Sequence, residues 1–182
     1  NMSYANENIL LSGHILGTQN KDIDLDFTNV DLAKVTPVIK DLQLGGILNG
    51  QLNITQSESV YFPKSSLIID SFSVNEFNLG SFKADIQGNQ SLTNYDVNVS
   101  LKEGDTESLK VAGYLDVSGN NSDLNLDINF NEFILNPLNP FGGGVITNIR
   151  GDVSGVVNVS GRLEKPQIEG ALNLNSGGLA IP

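Results

Sequence analysis

Apolar and polar residues alternate along most of the chain. Ile23, Leu25 and Phe27 are interleaved with Asp22, Asp24 and Asp26, and Val97, Val99 and Leu101 with Asp96, Asn98 and Ser100. Leu124, Leu126, Ile128 and Phe130 are set among Asn125, Asp127 and Asn129, and Val157 and Val159 beside Asn158 and Ser160. A period of two sends successive side chains to opposite faces of a strand. The runs therefore predict an all-β, mostly antiparallel sheet with one apolar and one wet face. SGNNSD at 118–123 and NSGG at 175–178 predict hairpin turns between such runs. Only VDLAKVTPVIKDL, at 30–42, has near-helical spacing, and Pro37 inside it limits the prediction to a short helix or two broken turns. NPLNPFGGG, at 136–144, predicts an irregular connection.

Glycine repeatedly occupies a place where an apolar side chain is due. The motif apolar-x-Gly-x-apolar-x-apolar occurs at Leu48 to Ile54, Val111 to Val117 and Ile168 to Leu174. Gly50, Gly113, Gly155, Gly161 and Gly170 thus share the apolar parity. Glycine inside a strand loses packing, so its recurrence predicts bends or close backbone approaches. Segments also match at a shift of about 100 residues. Leu11, Gly13 and Ile15 match Val111, Gly113 and Leu115, and Ile23, Leu25 and Phe27 match Leu126, Ile128 and Phe130. Leu48, Gly50 and Leu52 match Ile149, Gly151 and Val153, and Pro63 is set against Pro166. We read one β-rich fragment of a longer repetitive protein, with approximate repeats over 8–107 and 108–182, the second incomplete.

An apolar sheet face with no helices to cover it has three outlets: a second sheet, closure into a barrel, or a trough around something apolar. The inward positions are mostly Leu, Ile and Val punctuated by Gly, which favours a curved, taco-like trough with an aliphatic interior. A closed sandwich with glycines at its corners is the competing architecture. The trough would be lined by Ile23, Leu25, Phe27, Val111, Leu115, Val117, Leu124, Leu126, Ile128, Phe130, Val157, Val159, Leu172 and Leu174.

A formal charge of −11 with no basic cluster argues against nucleic acid and against direct attraction to an anionic membrane. The chain has no Cys and a single His, so no thiolate metal site or nucleophile–histidine triad can be assembled. His14 has no neighbouring nucleophile and is expected on a strand surface. Asp22, Asp24 and Asp26 are expected on one solvated face, since the Gly and Glu of a calcium loop are missing. FGGGV lacks the Lys-Ser/Thr of a phosphate loop. Neither an enzyme nor a cofactor or metal is expected. No apolar run reaches the roughly 20 residues of a membrane helix, and the first residues lack a signal-peptide pattern, so an export signal or anchor would lie outside this chain.

The stretch from Phe133 to Pro182, with Asn136-Pro137 and the series Gly151, Gly155, Gly161, Leu163, Pro166, Gly170, Leu172, Leu174 and Gly178, resembles the C-terminal region of the TamB family. These are translocation and assembly module proteins related to the AsmA-like proteins. VDLAKVTPVIKDLQLGGILNGQLNIT is similar to another copy of the same unit, although Tyr61-Phe62-Pro63-Lys64 keeps only the proline of Gly-Arg-Leu-Glu-Lys-Pro. The resemblance implies a periplasmic protein anchored in the inner membrane by a segment outside this chain. It also implies a β groove running towards the outer membrane and a BamA-like outer-membrane barrel as partner. The implied work is outer membrane biogenesis: protein translocation or phospholipid transport, with the groove shielding acyl chains or unfolded outer-membrane protein strands. The alternative is a structural β repeat of a surface adhesin or stalk with a closed core.

Overall fold

A computed structural model describes residues 2–4, 7–16, 20–36, 42–57, 60–91, 93–117, 122–142 and 147–181. The strands are β1 (Met2–Tyr4), β2 (Glu7–Leu16), β3 (Asn20–Asp31), β4 (Leu44–Ser57), β5 (Val60–Val74) and β6 (Phe77–Gly88), then β7 (Asn94–Glu103), β8 (Thr106–Asp116), β9 (Asp123–Ile134), β10 (Thr147–Arg162) and β11 (Gln167–Ala180). They form one 11-stranded sheet in which spatial order equals chain order. Every pairing is antiparallel, and β1 and β11 are the sheet's two edges, so it does not close.

Register confirms the parity read from the alternation. One rung runs Ile9, Phe27, Gly50, Leu67, Ala84, Val99, Val111, Ile128, Val157 and Gly170 without a polar residue. Directly paired residues in an antiparallel sheet point to the same side, so this rung crosses ten strands on one face. The opposite face is hydrogen-bonded and wet. Asn53 Nδ2 donates to Asp24 at 2.6 Å, Thr55 Oγ1 to Asp22 at 3.0 Å, and Asn158 Nδ2 to Asn125 at 2.7 Å. His14 lies in β2 opposite Asp22.

The meander gives the sheet two unlike ends. At one, α1 (Leu32–Val35) connects β3 to β4, and a 3-10 turn (Asn136–Gly142) lies between β9 and β10. Asp31 caps α1 by accepting from the Ala33 N–H at 3.1 Å. Thr36 ends it in an extended conformation, φ −76° and ψ 136°, as expected of a residue before proline. Of the helical prediction over 30–42, positions 37–41 lie outside the described residues. Asn139 holds the 3-10 turn to β10 by exchanging bonds of 2.8 Å with the Ile149 backbone. We call this the capped end.

Register shifts fall in the half of the sheet nearest the capped end, for example between Phe27 and Val30, Ile69 and Phe72, and Val153 and Gly155. Asn29, Ser71, Glu132, Asn148 and Ser176 adopt left-handed backbone there, with φ between 50° and 54°. Such bulges bend and further twist a strand. NSGG is one of them and not the expected hairpin turn: β11 runs straight through it, because the left-handed residue Ser176 absorbs an extra position while Gly178 still pairs with Arg150. Of SGNNSD, positions 118–121 lie outside the described residues.

The chain exposes 11490 Å², whereas a compact globule of 19.5 kDa exposes about 8,500 Å². A sealed sandwich would not leave that excess, so the open-edged curved sheet is the architecture present.

Gly113 shows why glycine stands on the apolar face. At φ +152°, its missing side chain would be driven into the Asn125 carbonyl oxygen of β9. Gly50, Gly155 and Gly170 meet their neighbours in the same way, while Gly161, at φ +90°, has open space around it. Gly113→Ala is therefore expected to cost about 3 kcal/mol, from clash plus strain, and Gly161→Ala about 1 kcal/mol, from strain alone. Urea unfolding of the two variants beside the parent checks this; equal losses would contradict it.

Candidate functional site, an apolar trough

Every strand residue predicted to line a groove lies on the apolar face by register. Ile23 and Leu25 are joined across β3 and β4 to Ile54 and Leu52, and across β8 and β9 Val111 is paired with Ile128, Gly113 with Leu126 and Leu115 with Leu124. Phe130, Val157, Val159, Leu172 and Leu174 complete the set on β9 to β11. Val117 comes directly after β8, exposed, its N–H bonded to the Thr93 carbonyl. Leu52, Leu67, Ile86, Val97 and Leu101 occupy the same face without belonging to the predicted lining. Their signal is parity alone, and in SSLIID the consecutive apolar residues hide it: Ile68 points to the polar side, opposite Asn49 and Lys83.

Burial divides the face. Near the capped end, Val74, Leu79, Leu101, Phe133 and Val153 form a packed cluster with Leu44, Phe72, Phe82, Leu109 and Phe130 around it. Phe72 and Phe82 are tilted at 5.5 Å between ring centroids, and Phe130 and Phe133 at 5.8 Å. The bulges curl the sheet here until its side chains fill the space between. Towards the opposite end, where the registers are unbroken, Ile23, Leu25, Leu52, Leu126 and Val159 remain half-buried, with Val97, Leu124 and Val157 buried among them. The outermost strands are barer still: Leu11 is 63% exposed, Ile168 70% and Leu174 59%.

Most carboxylates lie on the wet side or in the connections, while Lys21 and Tyr95 share the register of the apolar face, opposite Ile15 and Leu115. The Asp85 carboxylate sits below its usual range because Lys83, at 2.8 Å, and then the Ser66 hydroxyl, at 2.6 Å, bond to it. A lowered folded-state value gives stability that is present above the ordinary carboxylate range and lost as acid carries Asp85 through that lower value. Lys34 is raised by its bond to Glu7, at 2.5 Å, which ties α1 back to β2. The Lys83–Asp85 pair lies on the wet side, flanking Ala84 of the apolar rung. Among the described residues, no group of three or more His, Asp or Glu could hold a metal ion, and no helix is long and apolar enough to cross a membrane.

The class of protein this defines is an open-edged β trough, apolar within and acidic outside. Residues 5–174 match the family model described as TamB, N-terminal domain, and the chain belongs to the TamB family. No curated protein and no solved structure matches it. The resemblance read from the sequence is to the C-terminal region of such proteins, whereas the matching model is that of the N-terminal domain. Strands of Gly and Leu alternation look alike wherever they fall along a repetitive sheet, so the pattern carries family without position. Membership gives the chain a class of work, that of a transport and assembly module in outer-membrane assembly.

The contrast between packed and open halves sets an expected mutational gradient. Leu101→Ala should cost about 3 kcal/mol, because its rigid surroundings cannot close over the cavity, and Leu126→Ala about 1 kcal/mol. Thermal and urea unfolding of each variant measure this; similar losses at both sites would show the trough to be uniformly packed.

Proposed function

We propose that the chain is a hydrophobic-groove module of a TamB-like protein, shielding lipid acyl chains as they pass through water between the inner and outer membranes. The observation that carries the reading is the unbroken apolar rung across ten strands, open at its outer strands and nearly free of polar groups. An acyl chain needs no hydrogen bond and gains roughly 0.8 kcal/mol for each CH₂ removed from water, and its non-directional contacts let it slide. An unfolded outer-membrane protein strand is the second cargo considered, but its backbone amides would find no partners within this lining. The residues proposed to touch cargo are those predicted to line the groove, Leu126, Ile128, Val157 and Val159 at its centre. A periplasmic location, an inner-membrane anchor outside this chain and a BamA-like barrel partner belong to the same proposal, supported by family membership. The excess exposed area speaks against the closed-core adhesin repeat.

Native mass spectrometry of the purified chain should find co-extracted phospholipid, and Leu126→Asp should keep the circular dichroism of the parent while losing that lipid. A lipid-free parent, or global unfolding by Leu126→Asp, would mean a sealed core.

A further inference from the structure

The apolar face is graded along its strands. The rung from Ile9 to Gly170, nearest the packed cluster, carries no polar side chain. Two residues further from the capped end, the rung that joins Leu25 to Leu52 and Leu126 to Val159 carries one, Ser65. Two further again, Ile23 and Ile54 share their level with Tyr95, which is paired with Leu115. At the outermost level Lys21 stands between Ile15 of β2 and Gln56 of β4. Lys21 is half-buried and Gln56 8% exposed, although both lie at the mouth. Polarity on this face thus rises towards the end where the strands open. Among the described residues the rise includes a cation, and no carboxylate shares these four levels.

Lys21 breaks the rule that places Lys83 and Lys110. Those two alternate to the wet side, where Lys83 is bonded to Asp85. Lys21 lies on the apolar side, and no carboxylate among the described residues forms an ion pair with it. Its neighbours Asp22 and Asp24 point to the opposite face, engaged by Thr55 and Asn53. A lysine stem lies well along aliphatic surface with its ammonium at the water's edge. An ammonium in that place favours an anion, and the lining beneath it favours a hydrocarbon. Resting on the groove reading above, we infer that the trough admits an amphiphile tail first, an anionic head held at the rim by Lys21 and the tail directed along β3 towards Phe27. The depth fits such a ligand. Phe27 lies six positions from Lys21, about 20 Å of strand, and the tails of one bilayer leaflet occupy about 15 Å. Beyond Phe27 the register shifts and Val30 is 2% exposed, which closes the floor. A cationic head has no carboxylate to meet at these levels. With a chain charge of −11, this inward ammonium is what lets an anion approach.

Two measurements on the isotope-labelled chain test this. The first adds stearic acid carrying a nitroxide either beside its carboxylate or at its methyl end. The label near the head should broaden the methyl signals of Ile23 and Ile54, and the label at the tail those of Leu67, Val111 and Ile128. The second compares dodecyl phosphate with dodecyltrimethylammonium, both below their micelle concentrations. The phosphate should bind about tenfold more tightly, a preference that Lys21→Gln removes, Lys21→Arg keeps and added salt weakens. Inorganic phosphate at the same concentration should not displace it, since the tail supplies most of the affinity. The head assignment is overturned, with the groove reading intact, if the two amphiphiles bind equally and Lys21→Gln changes nothing, or if the tail label broadens Ile23 and Ile54 instead. Displacement by inorganic phosphate would mean a free-anion site and overturn it as well. Binding of neither amphiphile would overturn both readings.

Discussion

Parity of register is the constraint on which everything else in this molecule rests. Each strand contributes side chains to the trough only at every second position, so a slip of one residue between any two neighbours would turn all later strands inside out. Gly50, Gly113, Gly155 and Gly170 bear on this directly. Each stands where only the absence of a side chain lets the adjacent carbonyl approach, which marks one register among the many that alternation alone would tolerate.

Curvature is imposed on that register by bulges, and their distribution decides which part of the apolar face is packed. Left-handed residues near the capped end shorten and turn the strands until Leu79, Leu101, Phe133 and Val153 crowd one another. Where the ladders are unbroken, Leu25, Leu52 and Leu126 stay half-buried, although Leu124 is buried. Capping and opening are thus two states of one surface, separated by a line of irregular hydrogen bonding.

The strands, the two-faced character of the sheet and the inward glycines were all legible in the alternation, because a period of two has no other stable use in a chain without helical runs. Pro37 likewise announced how short α1 would be. Other features were invisible for physical reasons. Val97 and Leu126 look alike in sequence and lie on one rung with Gly113 between them, yet Val97 is buried and Leu126 only half-buried, a difference set by the packing of neighbouring strands and not by alternation. Ser176 and its glycines have turn chemistry, and the same left-handed backbone serves a turn or a bulge. Only the partner strand β10, continuing beside them, decides between the two.

The plain succession of neighbours in the sheet has a consequence for how the chain comes to be folded. No strand waits for a distant segment: each hairpin can zip onto the previous one as soon as both its arms exist. Low separation between contacting partners makes for rapid, stepwise assembly, and stacked units of this kind grow from whichever end is first available. A polypeptide emerging from a narrow exit, one end leading, could therefore build its trough in order of appearance, and a pull on either terminus would peel it apart strand by strand.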